Sequence, residues 1–170
     1  MVDVLIVISG LPGTGKSAIA EAVAAELDAV HLSIDVVEDA LLGAGLPPSW
    51  QTGVAAYETV RAAAEQNLAL GRTVVVDAVN DSTAARMTWI VGAERAQADL
   101  TFVLLTLDDG DEHRRRLESR QRSFLHLPEP TWSDVQLRAA SYETWNDTVL
   151  QLSAAEPVHE IAQTILQHLP

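Results

Sequence analysis

The sequence predicts an α/β protein in three layers, with a parallel sheet between two layers of helices. Short apolar runs alternate with segments whose apolar residues recur at helical spacing. A strand of a parallel sheet is covered on both faces, so it reads as an unbroken apolar run. A Gly-rich turn follows the first run, and a helical segment follows each of the later ones. Together these observations favour strands joined by helical crossovers.

Five strands are predicted from the apolar runs. The first run, VLIVIS, ends at a glycine, and the third, TVVV, ends at an aspartate. Both are too short for a buried helix and rich in β-branched residues. The predicted strands are residues 4–9, 29–34, 73–76, 100–107 and 149–152.

Seven helices are predicted after the strands and loops. Ile19, Val23 and Leu27 illustrate the spacing that places apolar side chains on one helix face. Asp35 suits the positive end of a helix dipole, and Ser133 suits an N-cap. The predicted helices are residues 16–27, 35–42, 53–70, 83–98, 109–122, 133–145 and 157–168.

Composition narrows the classes of protein. A length of 170 residues predicts a single domain spanning residues 1–170. The net charge of -13 repels phosphate backbones and anionic lipids, so neither nucleic acid nor a membrane is expected as a partner. The absence of cysteine excludes disulfides, thiolate zinc sites and cysteine nucleophiles. No secretory leader or membrane-spanning run is visible, so a cytoplasmic location is expected, and the oligomeric state is left open.

The segment GLPGTGKS fits the phosphate-binding pattern G-x-x-x-x-G-K-[ST]. Its glycines allow backbone N–H groups to point inward, and the following helix adds a partial positive charge. Lys16 is the one lysine of the chain, a compact charge suited to the β- and γ-phosphates, and Ser17 can ligate Mg²⁺. The residues predicted to bind nucleotide here are Gly10, Leu11, Pro12, Gly13, Thr14, Gly15, Lys16, Ser17 and Ala18.

Three functions are compatible with triphosphate binding: a GTPase switch, a motor or regulatory ATPase, and a kinase. A GTPase needs an N-K-x-D type guanine loop, for which no second lysine is present. A motor usually needs a longer chain. A kinase needs an acceptor-side base, a carboxylate for the metal and an arginine lid, and the sequence offers a candidate for each.

Aspartates follow three of the predicted strands, where the ligand crevice of a parallel sheet lies. Asp35 could accept the proton of an attacking hydroxyl, or could serve only as a helix cap. Asp77 ends an apolar strand and could hold Mg²⁺, with Asp108 as its rival. Asn80 and Asp81 could line the same crevice.

Five of the eleven cations lie within residues 114–122, which makes a local positive patch on an acidic protein. On one predicted helix, Arg116 and Arg120 would share a face and could embrace transferring phosphates. A solvated helix with Glu–Arg pairs is the alternative. The loop at residues 123–131 could cover the site, so a lid is expected over about residues 114–133.

Four further residues could contact an acceptor. Arg61 and Arg86 could orient a substrate anion, or could simply lie on the surface. Trp50 and Trp132 flank predicted loops and could stack on an acceptor. The histidines show no ligand spacing and are interpreted as incidental.

The chain resembles the small P-loop kinase family over nearly its whole length. The resemblance rests on GLPGTGKS at 10–17, SID at 33–35, VVVDAVN at 74–80, RLESR at 116–120, PTWSDV at 130–135, YETW at 142–145 and VLQLS before the terminal helix. Within the family, it is similar to chloramphenicol phosphotransferases and shikimate kinases, although Ser33 departs from the shikimate kinase D-x-D pattern. The resemblance implies a strand order of 2-3-1-4-5, an adenine-contacting loop at residues 153–157, and Asp35 facing the acceptor hydroxyl. It also implies Arg120, or secondarily Arg116, as the lid arginine.

These observations predict an ATP- and Mg²⁺-dependent transfer of phosphate to a small-molecule hydroxyl. The predicted catalytic residues are Asp35, Lys16 and Arg120, and the predicted metal ligands are Ser17 and Asp77. The acceptor is left open among an antibiotic, a nucleoside and a sugar-like metabolite. The alternative is a nucleotide-binding regulatory ATPase without an acceptor, and a fragment of a polynucleotide 5′-kinase is disfavoured by the acidic charge.

Overall fold

A single parallel sheet runs through the protein, which a computed structural model describes over residues 4–146 and 148–170. Its strands are β1 Val4–Ser9, β2 Val30–Ser33, β3 Val74–Ala78, β4 Asp99–Thr106 and β5 Leu150–Ser153. The helices are α1 Lys16–Leu27, α2 Ile34–Gly43, α3 Trp50–Leu68, α4 Thr83–Ala96, α5 Gly110–Ser119, α6 Trp132–Ser141 and α7 Val158–Gln167. None of the helices in the described ranges combines the length and the apolar character that a bilayer crossing requires.

The strand order is β2-β3-β1-β4-β5, and every neighbouring pair is parallel. The predicted α/β class and order are therefore confirmed. Asp77 pairs in register with Ser33 on one side and with Ile8 on the other. The carboxyl ends of β1, β2 and β3 consequently meet at one edge of the sheet, beside the turn into α1.

The core lies on both faces of β1, as its unbroken apolar run predicts. Alternate side chains of β1 enter opposite layers. Ile6 and Ile8 pack with α1 and α7, whereas Leu5 and Val7 pack with α3 and α4. All four are almost completely buried, so the central strand fixes the position of the turn that follows it.

The charged helix α5 ends at Ser119, earlier than the predicted end at residue 122. Arg120 already has an extended backbone, with φ -66° and ψ 142°. The prediction that Arg116 and Arg120 share a helix face is therefore wrong. Ion pairs from Arg120 and Arg122 to Glu129 compensate for the helical hydrogen bonds lost at this point.

Capping side chains account for two other shifted helix starts. Ser49 accepts a hydrogen bond from Thr52 N at 3.2 Å, so α3 begins at Trp50 and not at residue 53. Thr131 and Asp134 form a reciprocal capping box, so Thr131, and not Ser133, caps α6. In both cases the side chain earlier in sequence satisfies the first free N–H groups of the helix.

Arg86 on α4 is a buried structural residue, with only 1% of its surface exposed. Its guanidinium donates to the carbonyl oxygens of Asn80 at 3.0 Å and Thr144 at 2.8 Å, and also to that of Glu143. It also stacks 4.0 Å from the ring centroid of Trp145. These contacts hold residues 142–145 against α4, which explains why α6 stops at Ser141 instead of residue 145. Neither predicted role of Arg86, an anion contact or a surface residue, is correct.

We expect the Arg86→Met substitution to lower the free energy of unfolding by about 3 kcal/mol, because it leaves buried carbonyl groups without donors. The matched control is Arg95→Met on the same helix, where the side chain is 61% exposed and a change within about 0.5 kcal/mol is expected. Urea unfolding of both variants measures the difference. Equal stability of the two variants would show that the Arg86 contacts are dispensable.

Candidate active site

The turn between β1 and α1 forms an open cradle of backbone groups. Gly10, Gly13 and Gly15 have φ angles of 147°, 87° and 90°, which side chains with a Cβ rarely tolerate. Thr14 stabilises the turn by donating its hydroxyl to Leu11 O at 2.9 Å. Helix α1 begins with neither a side-chain cap nor an acidic residue in its first turn. Its first N–H groups are therefore available to an anion, as the motif predicts.

We expect Gly10→Ala to destabilise the fold by more than about 2 kcal/mol, because a Cβ there would lie 2.7 Å from the backbone oxygen of Leu105. Gly15→Ala is the matched control: it has the same kind of positive φ, but nothing lies within 4 Å of its Cβ. Only the conformational cost of about 1–2 kcal/mol is expected for the control. Thermal and urea unfolding measure both, and a control as unstable as Gly10→Ala would refute the steric explanation.

Lys16 lies inside the cradle and donates from Nζ to the carbonyl oxygen of Leu11 at 3.0 Å. Burial lowers the pKa of Lys16 from its ordinary 10.5 to about 8, although the carboxylates of Asp35 and Asp77 oppose this change. The ammonium is thus poorly solvated, and among the described residues its hydrogen-bond partner is a carbonyl oxygen. A phosphate oxygen would give it a charged hydrogen-bond acceptor.

The low pKa of Lys16 predicts that ATP binding weakens as the pH rises above about 8. Below that pH the free protein already carries the proton, whereas above it the phosphate must recruit one, so the dissociation constant should rise up to about tenfold per pH unit. Calorimetry from pH 7 to 9.5 in EDTA measures this without the contribution of a metal. The Lys16→Met variant should show no such slope, and an equal slope in both proteins would contradict the prediction.

Asp77 at the end of β3 lies beside Ser17 of the phosphate-binding turn. Its carboxylate, 3% exposed, accepts hydrogen bonds from Ser17 Oγ at 3.1 Å and Ser33 Oγ at 3.2 Å. His31 Nε2 lies 2.6 Å from the other carboxylate oxygen. The geometry favours Asp77 over its rival Asp108, which is exposed at the end of β4.

The sequence interpretation missed His31 and Ser33 as partners of Asp77. The signal lay in their positions. His31 and Ser33 are two residues apart in β2, so their side chains lie on the same face, and Ser33 pairs with Asp77 on the neighbouring strand. The interpretation of His31 as incidental is wrong, because its Nε2 contacts the Asp77 carboxylate. Its contact arises from the neighbouring strand, which single-sequence spacing does not identify.

Oxygen ligands at this position suit Mg²⁺, since the Ser17 hydroxyl and the Asp77 carboxylate are within contact of one another. Over residues 4–146 and 148–170, no group of three or more His, Asp or Glu side chains is arranged around a common metal position. A magnesium ion here would therefore take most of its ligands from phosphate oxygens and water, as this ion commonly does.

Asn80 and Asp81, the two further candidates for lining the crevice, are both engaged by other side chains. Asn80 is buried with φ 54°, donates to Ser9 Oγ at 2.8 Å and accepts from Trp89 Nε1 at 2.8 Å. Asp81 lies 3.4 Å from the guanidinium of Arg138. Asn80 thus fixes the chain after β3, and Asp81 is engaged at the far side of the crevice.

Asp35 lies in the first turn of α2, across a cavity of about 210 Å³ from Lys16. Arg122 forms an ion pair with Oδ2 of Asp35. In the described part of the chain no group donates a hydrogen bond to Oδ1, so this oxygen is available to a ligand. The cavity is lined by Pro12, Lys16, Asp35, Glu38, Val79, Arg120, Arg122, Leu127, Pro128, Pro130, Asp134, Val135 and Arg138.

Arg120 and Arg122 enter this cavity from the segment between α5 and α6 and share one carboxylate. Arg120 Nε donates to Glu129 Oε2 at 2.9 Å, and Arg122 Nε donates to Oε1 at 2.5 Å. Nη2 of Arg120 is buried and lies 2.7 Å from Oε2, but its N–H bonds are not aligned with that oxygen. Arg120 therefore retains N–H groups that could donate hydrogen bonds to a phosphate oxygen.

Arg116 is outside the cavity. It donates to Glu112 Oε1 and to the carbonyl oxygen of Ala154, both at 2.6 Å. Ala154 belongs to the loop after β5, where the family resemblance expects adenine. The structure thus separates the two predicted lid arginines, with Arg120 beside Lys16 and Arg116 beside this loop.

The loop at residues 120–130 is docked on α2. Asp39 accepts the backbone N–H groups of His126 and Leu127, each at 2.7 Å. These hydrogen bonds lower the pKa of the Asp39 carboxyl. Gly43, at the end of α2, leaves room for the His126 ring, which would lie 2.7 Å from a Cβ. The loop therefore closes the cavity on the side of Asp35.

The remaining candidate residues lie elsewhere. Trp132 packs edge-on against His113, whose Nε2 lies 2.7 Å from Pro12 O of the phosphate-binding turn. Trp50 is 78% exposed and does not line the cavity. Arg61 pairs with Glu58 and Glu65 on α3, its side chain is only 14% exposed, and it does not line this cavity.

The sequence of residues 5–141 matches the model of a protein family described as AAA domain. The chain belongs to this AAA domain family. Because the match covers the phosphate-binding turn and the docked loop, the predicted membership of a small P-loop kinase-like family is confirmed. No curated protein sequence matches the chain of this AAA domain protein.

Solved structures resemble this AAA domain protein over nearly its whole length. One, from Chloroflexus aurantiacus and provisionally described as a kinase, has a TM-score of 0.80, 19% identity and full coverage of both chains. The APS kinase CysC of Mycobacterium tuberculosis, in complex with AMPPNP and APS, has a TM-score of 0.75, 22% identity and coverage of 98% of this chain and 96% of that one. A gluconokinase from Sinorhizobium meliloti has a TM-score of 0.65, 23% identity and coverage of 95% and 89%. At these identities the likeness is one of fold.

Proposed function

We propose that the protein transfers the γ-phosphate of ATP to a hydroxyl group of a small molecule. One observation carries the proposal: Lys16, Asp35 and Arg120 line the same cavity. A phosphate-binding lysine and a carboxylate with a free oxygen then face each other across a space where an acceptor fits. A regulatory ATPase needs the first of these groups but has no need of the second.

The triphosphate would bind to the turn at residues 10–17, where open N–H groups and the Lys16 ammonium face its oxygens. The adenine would lie by the loop at residues 153–157, which Arg116 contacts through Ala154. This orientation directs the γ-phosphate toward Asp35. The AMPPNP complex of the structurally similar APS kinase supports a nucleotide as the ligand of this fold.

In the transfer, the acceptor oxygen forms a bond to the γ-phosphorus as the bond from that phosphorus to the β,γ-bridging oxygen breaks. Asp35 Oδ1 takes the hydroxyl proton, and Arg122 on Oδ2 keeps the carboxylate oriented. Lys16 and Arg120 stabilise negative charge on the transferring group. The products are ADP and a phosphate monoester.

Magnesium fits the oxygen donors of Ser17 and Asp77, and when bound it would neutralise phosphate charge. His31 and Ser33 hold the carboxylate of Asp77 in place from β2. The region at residues 114–133 would act as a lid: its docking on α2 through Asp39 excludes water from the transferring phosphate.

An acceptor of small-molecule size is proposed because the cavity, bordered on one side by the loop at residues 120–130, measures about 210 Å³. The resemblance in fold to a gluconokinase and an APS kinase supports this class. An antibiotic, a nucleoside and a sugar-like metabolite remain the candidate acceptors.

A screen for acceptor-stimulated ADP release tests the proposed function. The protein is incubated with ATP and Mg²⁺ in the presence of hydroxylated metabolites and antibiotics, and mass spectrometry identifies any phosphorylated product. We expect at least one compound to raise ADP release and to gain one phosphoryl group. ADP release that no acceptor stimulates, with inorganic phosphate as the product, would favour the regulatory ATPase.

A further inference from the structure

Glu38 is a second carboxylate in the cavity that contains Asp35. The two residues are three positions apart on α2, so their side chains lie on the same face with Cβ atoms about 5–6 Å apart. Glu38 is half-buried. Among residues 4–146 and 148–170, no side chain or backbone group forms a hydrogen bond or ion pair with its carboxylate.

The other acidic side chains around the cavity are all engaged. Asp35 pairs with Arg122, and Glu129 pairs with both Arg120 and Arg122. Asp39 accepts two backbone N–H groups, and Asp134 accepts hydrogen bonds from Thr131 in the capping box of α6. Arg138, the cation that lines the cavity near Glu38, lies 3.4 Å from Asp81 instead. Glu38 thus differs from its acidic neighbours in the part of the chain that the structure describes.

This arrangement is unfavourable for the protein without a ligand. Burial raises the pKa of the Glu38 carboxyl, and the charge of Asp35 raises it further, while Arg138 opposes both effects. A half-buried carboxylate beside a second carboxylate costs stability that a neutral side chain would not cost. A ligand group that neutralises Glu38 would remove this cost.

We propose that Glu38 binds a protonated amine of the acceptor and so selects hydroxylated amines, such as amino sugars and amino alcohols, as substrates. This inference rests on the proposed function, since it places the reacting hydroxyl at Asp35. The two residues lie within one turn of α2, so the amine and the hydroxyl would belong to one small molecule.

Charge favours an amine over the alternatives. A carboxylated acceptor would meet Asp35 and Glu38 within one helical turn, and like charges facing one another reject such a ligand. A neutral polyol would leave the Glu38 charge without a counter-ion. Of the cations that line the cavity, Lys16 and Arg120 are the ones proposed to hold the transferring phosphate. Arg122 is engaged with Asp35 and Glu129, and Arg138 with Asp81.

The test uses three probes that share a six-carbon skeleton: glucosamine, glucose and gluconate. Phosphorylation of each is measured with ATP and Mg²⁺ for the wild type, Glu38→Gln and Glu26→Gln. Glu26 is exposed on α1, so its substitution removes the same charge away from the cavity. We expect glucosamine to have a kcat/KM at least about tenfold above the other probes. Glu38→Gln should raise the KM for glucosamine about tenfold. The KM for ATP should stay unchanged, and the thermal midpoint should stay unchanged or rise.

A preference for glucose or gluconate, or an unchanged glucosamine KM in Glu38→Gln, would overturn the inference. A second measurement separates it from the proposed function: the carboxyl ¹³C resonance of Glu38 in the AMPPNP-bound protein, titrated with glucosamine. We expect that resonance to shift. If it shifts, and neither the probes nor any compound of the acceptor screen is phosphorylated, the kinase function fails and the amine site stands. If it does not shift, the amine site fails whatever the activity.

Discussion

The Asp35→Asn substitution is expected to reduce phosphate transfer to the acceptor by about 10²–10⁴-fold while leaving ATP binding nearly unchanged. Asparagine has nearly the same shape but cannot accept the hydroxyl proton. The fold should survive, because Arg122 retains Glu129 as an ion-pair partner. Initial rates with a phosphorylated-product assay give the loss, and calorimetry with MgATP gives the affinity.

The conservative variant Asp35→Glu separates proton transfer from structural support. It keeps a carboxylate on α2 but moves it by one methylene, so partial activity is expected. Transfer at near wild-type rate in Asp35→Asn would exclude Asp35 as the base. Parallel loss of ATP binding would instead mean that the Asp35–Arg122 ion pair supports the nucleotide site.

The second large effect is expected for Lys16→Met, which should lower kcat by at least about 10²–10³-fold and weaken ATP binding. Methionine fills a similar volume without the charge, so the lost function reflects electrostatics and not packing. Removal of an ammonium whose pKa is lowered by burial should also leave the protein equally or more stable. Assays of ADP production at fixed times measure the loss of kcat, and urea unfolding measures the stability.

Lys16→Arg is the matched control for that substitution. It keeps the positive charge, but the planar guanidinium cannot reproduce the compact ammonium that lies 3.0 Å from Leu11 O. We expect ATP binding to be weakened and transfer to remain far below the wild-type rate. Full activity of Lys16→Met would contradict the role of a charge at this position.

The features that the sequence alone predicted well are those set by local pattern. The apolar run of β1 requires burial on two faces, and the order of glycines after it requires positive φ angles. The contact of Asp77 with Ser17 follows from a strand end facing the same edge as the turn. Five short apolar runs alone allow several strand orders, so the predicted order came from the family resemblance. The structure confirms that order.

The features that the sequence did not predict depend on contacts between distant segments. Arg86 resembles any helical arginine until residues 142–145 pack over it. The charged stretch at residues 114–122 has helical propensity throughout, yet Glu129 draws Arg120 and Arg122 out of the helix. Glu38 resembles an ordinary exposed helix residue, and only the docked loop encloses it. In each case tertiary contacts outweighed local preference.

A crystal structure with AMPPNP and Mg²⁺ tests the central claim most directly. The triphosphate should occupy the turn at residues 10–17, with its γ-phosphate between Lys16 and Asp35 and the magnesium ion on Ser17. A nucleotide bound outside that turn, or a γ-phosphate directed away from the Asp35 cavity, would contradict phosphate transfer to an acceptor held there.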